Sequence, residues 1–266
     1  MISQEQREIM YKGLAMKGRL VYDAAEDAAI EAGLQRDPSD YFLWCAKGIL
    51  TKNLEESVRY FSVALSLRPL AAHTRYNRGR RYMSQGRYVE ALSDLALATT
   101  LDADDGWKWH FYGVALYFTD QLTKAAEAFA KAIEVNERNG LDLLPFDAEW
   151  QWNCWCKAGE PEKAAACIAA VDETTPVVAS EATYKRRVLL YRGLISPEVF
   201  RAGIDEADAL EAANQMYGLA NYYFYLCHDT KKSMECLNRV LANEKACLGW
   251  GYKMAKRDEP IRRALL

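Results

Sequence analysis

Apolar and small side chains recur along this chain at helical spacing, and they come in pairs of stretches. The most regular pair has Trp109, Tyr112, Gly113 and Leu116 at i, i+3, i+4 and i+7, followed by Ala125, Phe129 and Ala132 at i, i+4 and i+7. Each set draws one stripe on a helix. With a polar turn at 119–121 between them, the pattern predicts two antiparallel helices joined as a hairpin.

The same pattern returns 34 residues earlier as Gly79, Tyr82, Gly86, Tyr88, Ala91, Leu95 and Ala98, with Gly86 placed to end a helix in the left-handed conformation. Another 34 residues back lie Tyr41, Trp44, Cys45, Leu54, Ser57, Phe61 and Ala64, with Pro69 stopping the second helix. A weaker first copy follows the step through Met10, Tyr11, Leu14, Gly18 and Leu20, but its second helix meets Asp23, Asp27 and Ile30 where small or bulky apolar residues belong. After the 109 copy the period stretches to 39, which places an insertion in the loop-like run 139–145. Later units read as Trp152, Trp155, Gly159, Ala164 and Ile168, then Tyr184, Val188, Tyr191 and Phe200, then Tyr217, Asn221, Phe224, Ser233, Leu237 and Val240. A last helix over 244–257, with Pro260 after it, would close the series. One hairpin cannot bury its apolar stripe alone, so a fold of this kind depends on each pair stacking against the next.

Composition narrows the setting. Half of the 266 residues are hydrophobic, enough for a large core, and the formal charge of −3 gives no global pull toward nucleic acid or anionic lipid. Met1–Glu8 are too polar and acidic for a secretory signal, no run approaches the ~18 apolar residues of a membrane span, and seven scattered cysteines suit reduced thiols. A soluble cytoplasmic protein is expected, with no nucleic acid and no membrane among its partners.

The repeated residues, above all the 109–132 copy with its Trp, Gly/Ala, Tyr/Phe and Ala positions, resemble the tetratricopeptide repeat family over roughly residues 4–257. Departures are Arg75 and Arg78 at usually apolar places, Trp152 where a small residue is usual, and Asp23 and Asp27 in the first copy. The resemblance implies an all-α fold: a right-handed α-solenoid, or superhelix, of about six helical hairpins with a C-terminal capping helix. It implies one domain over 1–266, with regular repeats at 4–139, irregular repeats at 140–242 and the cap at 243–258.

A stacked array turns the first helix of each pair toward a groove suited to an extended peptide or a partner helix. Off the packing stripe of those helices lie Phe42, Ala46, Tyr76, Arg80, Met83, His110, Val114, Tyr117, Glu149, Asn153 and Tyr222, a mix of aromatic, Arg and Asn side chains common in recognition hot spots. The competing reading is that they pack against the next repeat. The run Arg75, Arg78, Arg80 and Arg81, with Arg68 before and Arg87 after, is the one dense basic cluster. It fits either an acidic partner or internal pairing with Asp94, Asp102, Asp104 and Asp105. Trp107, Trp109, Trp150, Trp152 and Trp155 flank the inserted loop, either as an aromatic platform or as buried packing.

Catalytic and metal chemistry find little support. Cys154 and Cys156 point to opposite sides of a helix and the chain has three histidines, so no multi-histidine or cysteine metal site is expected. Cys227-His228-Asp229 are adjacent and cannot form a linear relay. Asp102–Gly106 lacks the glycine and glutamate spacing of a calcium loop, and its aspartates suit a helix cap. No cofactor is expected. The residues point to a non-catalytic adaptor or scaffold that binds a protein or peptide, with self-association through an uncapped end as a further partner mode. A peptide-responsive regulator and an accessory factor docking on a dedicated enzyme subunit are the alternatives.

Overall fold

In the computed structural model, which describes residues 24–205 and 208–266, the pattern of paired stripes becomes helix after helix, with no strand among the described residues. The helices are α1 (Ala24–Arg36), α2 (Tyr41–Leu50), α3 (Leu54–Leu67), α4 (Ala72–Ser84), α5 (Tyr88–Leu101), α6 (Gly106–Phe118), α7 (Leu122–Arg138), α8 (Leu144–Lys157), α9 (Pro161–Ile168), α10 (Ala182–Tyr191), α11 (Pro197–Ala202), α12 (Ala209–Asn221), α13 (Thr230–Ala242) and α14 (Trp250–Arg263). The first helix of the weakest copy, with Met10, Tyr11, Leu14, Gly18 and Leu20, lies outside the described residues. No helix among the described residues is long and apolar enough to cross a membrane.

Local chemistry sets the boundaries. Asp40, Asn53, Asp105, Ser196, Asp208 and Asp229 each precede a helix and accept hydrogen bonds from backbone N–H groups of its first turn. Asp105 thus caps α6, the role its position suggested. Gly86 (φ 75°) and Gly159 (φ 75°) take the left-handed conformation in the turns after α4 and α8, with open space around them.

The chain divides into two compact units, residues 1–121 and 122–266. In the first, α1 packs on α2, and α2 through α6 pack each on the next. The stripe residues Phe61 and Ala64 of α3, and Ala91, Leu95 and Ala98 of α5, are wholly buried. Close approach depends on missing side chains. A Cβ at Gly79 would come 2.8 Å from Leu95, and one at Gly48 would come 2.8 Å from Phe61. Ser57, buried in the second copy, donates its hydroxyl to the carbonyl of Gly48 at 2.5 Å, so the one polar residue in that stripe is satisfied.

In the second unit, α7 packs on α8, α8 on α9 and α10, α12 on α13, and α14 on both α12 and α13. Ala125, Phe129 and Ala132 of α7 are wholly buried, as predicted from the clearest copy. Part of the insertion is absorbed by α7 itself, which runs 17 residues where α3 and α5 have 14. One junction breaks the relay: α9, only 8 residues long, packs on α8 but has no substantial packing on α10.

The last helix differs from its expected place at 243–258. Residues 244–246 form a single 3₁₀ turn, and the helix starts after Gly249 and runs through Pro260 to Arg263. An interior proline costs about 3 kcal/mol. Here the last turn is anchored from outside, because Arg262 pairs with Asp258 at 3.1 Å and donates to the carbonyl of Ala220 at 3.2 Å and to Ser233 Oγ at 2.7 Å.

Two substitutions test this packing. Leu95→Ala should lower the unfolding free energy by about 2–5 kcal/mol, the range for a large buried truncation, measured by urea melts. Gly251→Ala should cost about 1–3 kcal/mol, because its new Cβ would sit 2.7 Å from the backbone of Ala213, which cannot rotate away. A change below about 0.5 kcal/mol at either position contradicts the assignment.

Candidate protein-binding surfaces

The positions lying off the packing stripe in sequence prove to be mostly interior. Phe42, Tyr76, Met83, His110, Val114, Tyr117 and Asn153 are all buried, as are Ala46 and Glu149; Tyr222 is half-buried and Arg80 is exposed. The physical reason is visible where contacts are resolved. A first helix has neighbours on more sides than its own hairpin partner: Tyr41 of α2 shares a hydrogen bond of 2.5 Å with Thr74 of α4, and Tyr76 of α4 meets Phe111 of α6 edge to face at 5.7 Å between ring centroids.

The basic cluster resolves residue by residue. Asp94, itself buried, takes Arg78 in a two-pronged pair (2.6 and 2.8 Å) and Arg75 at 3.1 Å. Arg81 donates to Ser57 Oγ and to the carbonyl of Ile49, and Arg87 pairs with Glu90 at 2.9 Å. Asp102 and Asp105 go to the buried Lys108. Two arginines are left with ring faces instead of carboxylates among the described residues. Arg80 lies 4.7 Å over Phe111 and 5.4 Å over Tyr76, and Arg68 lies 4.4 Å over Tyr41 and 4.7 Å over Phe42. Both are exposed. Desolvation pushes the Tyr76 phenol up to about 12 despite Arg80 beside it, so it stays a neutral shelf at any physiological pH. Burial lowers the pKa of His73, with Lys108 and Arg80 acting in the same direction, so the imidazole is neutral near pH 7.

In the second unit, the first helices of the pairs spend their polar groups on one another. Glu149 Oε1 accepts from Asn153 (2.7 Å) and from the Tyr191 hydroxyl (3.3 Å), with the buried Arg187 at 3.4 Å. Asn153 Oδ1 accepts from Asn221 (2.6 Å), and Asn221 Oδ1 accepts from Arg262 (2.5 Å). Asp258 accepts from the Tyr217 hydroxyl (2.7 Å) and pairs with both Arg262 and Lys157. Asn153, a sequence candidate for partner contact, is therefore committed inside the unit. Gly218 is part of the design: a Cβ there would lie 2.3 Å from Arg187 Cδ, so only glycine lets that stem cross α12. The spacing of Glu149, Asn153 and Lys157 on α8, and of Asp258 and Arg262 on α14, held the signal for this network. On a single helix, i, i+4 polar residues read the same whether they face water or a charged partner.

The tryptophans divide. Trp150 and Trp152 are buried, the former stacked near Phe129 (5.7 Å) and the latter on Tyr191 (3.9 Å, 13° between planes), whereas Trp107, Trp109 and Trp155 are half-buried. Beside Trp152 a pocket of about 430 Å³ opens between α9, the end of α10 and the single π-helical turn at 222–226. No periodicity in the sequence pointed to it.

These features define a class: an all-α solenoid of helical pairs. A model of the tetratricopeptide repeat matches residues 109–139, the most regular copy. A curated relative, the heat-shock protein cognate co-chaperone sgt12 of Aspergillus fumigatus, is 28% identical over 93 residues, 35% of this chain and 27% of that protein. The chain thus matches about a quarter of that relative's length. Among solved structures, YrrB, described as a tetratricopeptide repeat protein with an unusual peptide-binding site, superposes with a TM-score of 0.50 at 18% identity, covering 85% of this chain and 94% of that one. PilF of Pseudomonas aeruginosa gives 0.53 at 18% identity, covering 87% and 96%. A chain of the APC/C Cut9–Hcn1 hetero-tetramer gives 0.53 at 15%, covering 97% and 52%. Identities this low speak to the fold alone. One repeat matches the family model, and the fold is that of tetratricopeptide-repeat solenoids.

Two measurements follow from the buried groups. Burial pushes the thiols of Cys156 and Cys167 up to about 12, while Cys227 and Cys247 are exposed. A thiol reagent at pH 8 should therefore modify two of the seven cysteines rapidly and the remainder only on unfolding; fast labelling of Cys45 or Cys154, read by peptide mass spectrometry, contradicts the packing. Asp258→Asn should cost about 3–5 kcal/mol, because it leaves Lys157 and Arg262 buried without their shared carboxylate. A urea melt near that of the wild type would show that the network is not closed.

Proposed function

We propose that this chain is a non-catalytic adaptor that holds another protein through the helical pairs of its first unit. The observation that carries the reading is the treatment of charge. Of the arginines from 68 to 87, those facing Asp94 or Glu90 are paired, Arg81 is held by a hydroxyl and a carbonyl, and Arg68 and Arg80 are exposed over aromatic rings with no carboxylate partner among the described residues, whereas Arg87 over Tyr82 also has Glu90. A guanidinium held flat on a ring has already lost much of its side-chain freedom, so it can take a carboxylate in a forked geometry at reduced entropic cost. The partner segment that fits is acidic, with an apolar residue to cover the half-buried Phe111. Tyr76 serves as the buried shelf under Arg80. A co-chaperone relative, whose name describes work alongside another protein, supports the protein-binding half of the reading.

Affinity capture with mass spectrometry tests it, comparing wild type with Arg80→Ala and Arg68→Ala. Both residues are exposed, so the variants should keep the wild-type helical circular dichroism and melting profile. At least one partner should be lost or reduced about tenfold, the loss of a single charge-assisted contact. If both variants fold and recover every partner unchanged, the basic-aromatic shelf does not bind. Tyr76→Ala and Tyr117→Ala are poorer probes, since both side chains are buried and their loss would disturb packing first.

A further inference from the structure

The second unit has an apolar pocket beside α9, and we infer that an amphipathic helix of a partner protein docks over it, with apolar side chains against Tyr225 and Leu226 and a carboxylate on Arg192. The surface is distinct from the shelf of the first unit and does not depend on it.

Three observations converge. The first is architectural. At other junctions the second helix of a pair packs on the first helix of the next, as α3 does on α4, α5 on α6 and α13 on α14. At α9 that contact is lost. This helix has 8 residues against 14 in α3 and α5, so its far end falls short by about 9 Å at 1.5 Å per residue. The chain from 169 to 178 is irregular and takes the place of helix along α10, with Lys185 donating to the carbonyls of Glu173 and Thr175, so that only the pocket by the end of α10 is left open.

The second observation is what lines the gap. The pocket of about 430 Å³ has the buried Trp152, Ile168 and Tyr191 as its floor and opens outward at the half-buried Tyr225 and at Ala165 and Leu226, the last 44% exposed. Trp152 is fixed from two sides, stacked on Tyr191 at 3.9 Å and edge-on to Tyr225 at 5.9 Å, so the wall is rigid before any partner arrives. Rigid aromatic walls gain contact area with little loss of entropy. The π-helical turn at 222–226 brings Tyr225 and Leu226 to this side, and single π turns recur at functional sites.

The third is charge. Arg192 is the one charged residue among those lining the pocket. It is exposed, its Nη1 donates to the carbonyl of Val171, and no carboxylate among the described residues pairs with it. Apolar walls with one fixed guanidinium at the mouth complement a helix that carries two large apolar side chains and an acidic residue on one face.

The test uses the full chain and a blocked helical peptide of about 12 residues, or three turns, with a Leu, a Phe and a Glu sharing one face. Two control peptides carry Lys in place of the Glu, or Ala in place of Leu and Phe. Fluorescence anisotropy of the dye-labelled peptides should show saturable binding of the first, with each control weaker by about tenfold or more. Ala165→Phe, an exposed residue lining the pocket, should fill it and weaken binding by a similar factor; Leu226→Lys at the edge is the second variant should the first disturb folding. Arg192→Glu should reverse the preference between the Glu and Lys peptides. The inference is overturned if the first peptide shows no saturation below about 1 mM, or if the pocket variants fold and bind it as wild type does. It is equally overturned if light scattering shows wild-type chains pairing through this surface and Ala165→Phe releasing them, which would make the occupant a second copy.

Discussion

Close approach of paired helices along stripes of small residues is the constraint on which everything else here rests. Ala91 and Ala98, or Ala125 and Ala132, leave room for Leu95 or Phe129 between them, and all six are wholly buried. A pair that meets this way has satisfied one face and left another bare. The bare face must be covered by the next pair, and that requirement propagates stacking from helix to helix within each unit. Side chains that would otherwise look outward are then drawn inside, which is why Val114 and Tyr117 are buried although their spacing set them apart from the stripe.

Such packing was legible because it is periodic. The steps of 34 residues reported turns and core positions for the regular copies, and Gly86 and Asp105 took the backbone roles their residue types suggested. Periodicity has nothing to say where the period fails. The final helix begins at Trp250 and passes through Pro260, because tertiary anchors on Arg262 outweigh a local rule about proline. The candidate groove residues were found as a set, and of the two readings open for them their burial favours packing inside the array. Helical spacing distinguishes one face of a helix from another, and it does not say how many neighbours the helix will have. Only Arg80, of the residues proposed to meet a partner, stands clear of the interior.

Charge shows the same division between local and tertiary information. The arginine cluster offered two readings, and the structure realises each at different residues. Asp94 collects Arg75 and Arg78 from one helix turn apart, while Arg80, on another side of the same helix, reaches rings and, among the described residues, no carboxylate. Sequence spacing alone could not apportion them, because the deciding partners come from α5 and α6. The family resemblance describes a scaffold; the residues that depart from it, Arg75 and Arg78 at usually apolar places and Trp152 at a usually small one, mark where this chain has rebuilt its interior.

In the second unit the closing helix is fastened in an unusual manner. Repeat arrays ordinarily fray from their ends, since a terminal helix has neighbours on one side only. Peeling α14 away would separate Asp258 from Lys157, and Arg262 from Asn221 and Ser233, at sites where water is nearly excluded. Partial detachment would thus strand a lysine against a hydrophobic surround before solvent could reach it, raising the energy of half-open states more than that of the fully released one. The helix should come off as a unit or not at all, which gives this part of the array a cooperativity that stripes of alanine and leucine alone would not confer.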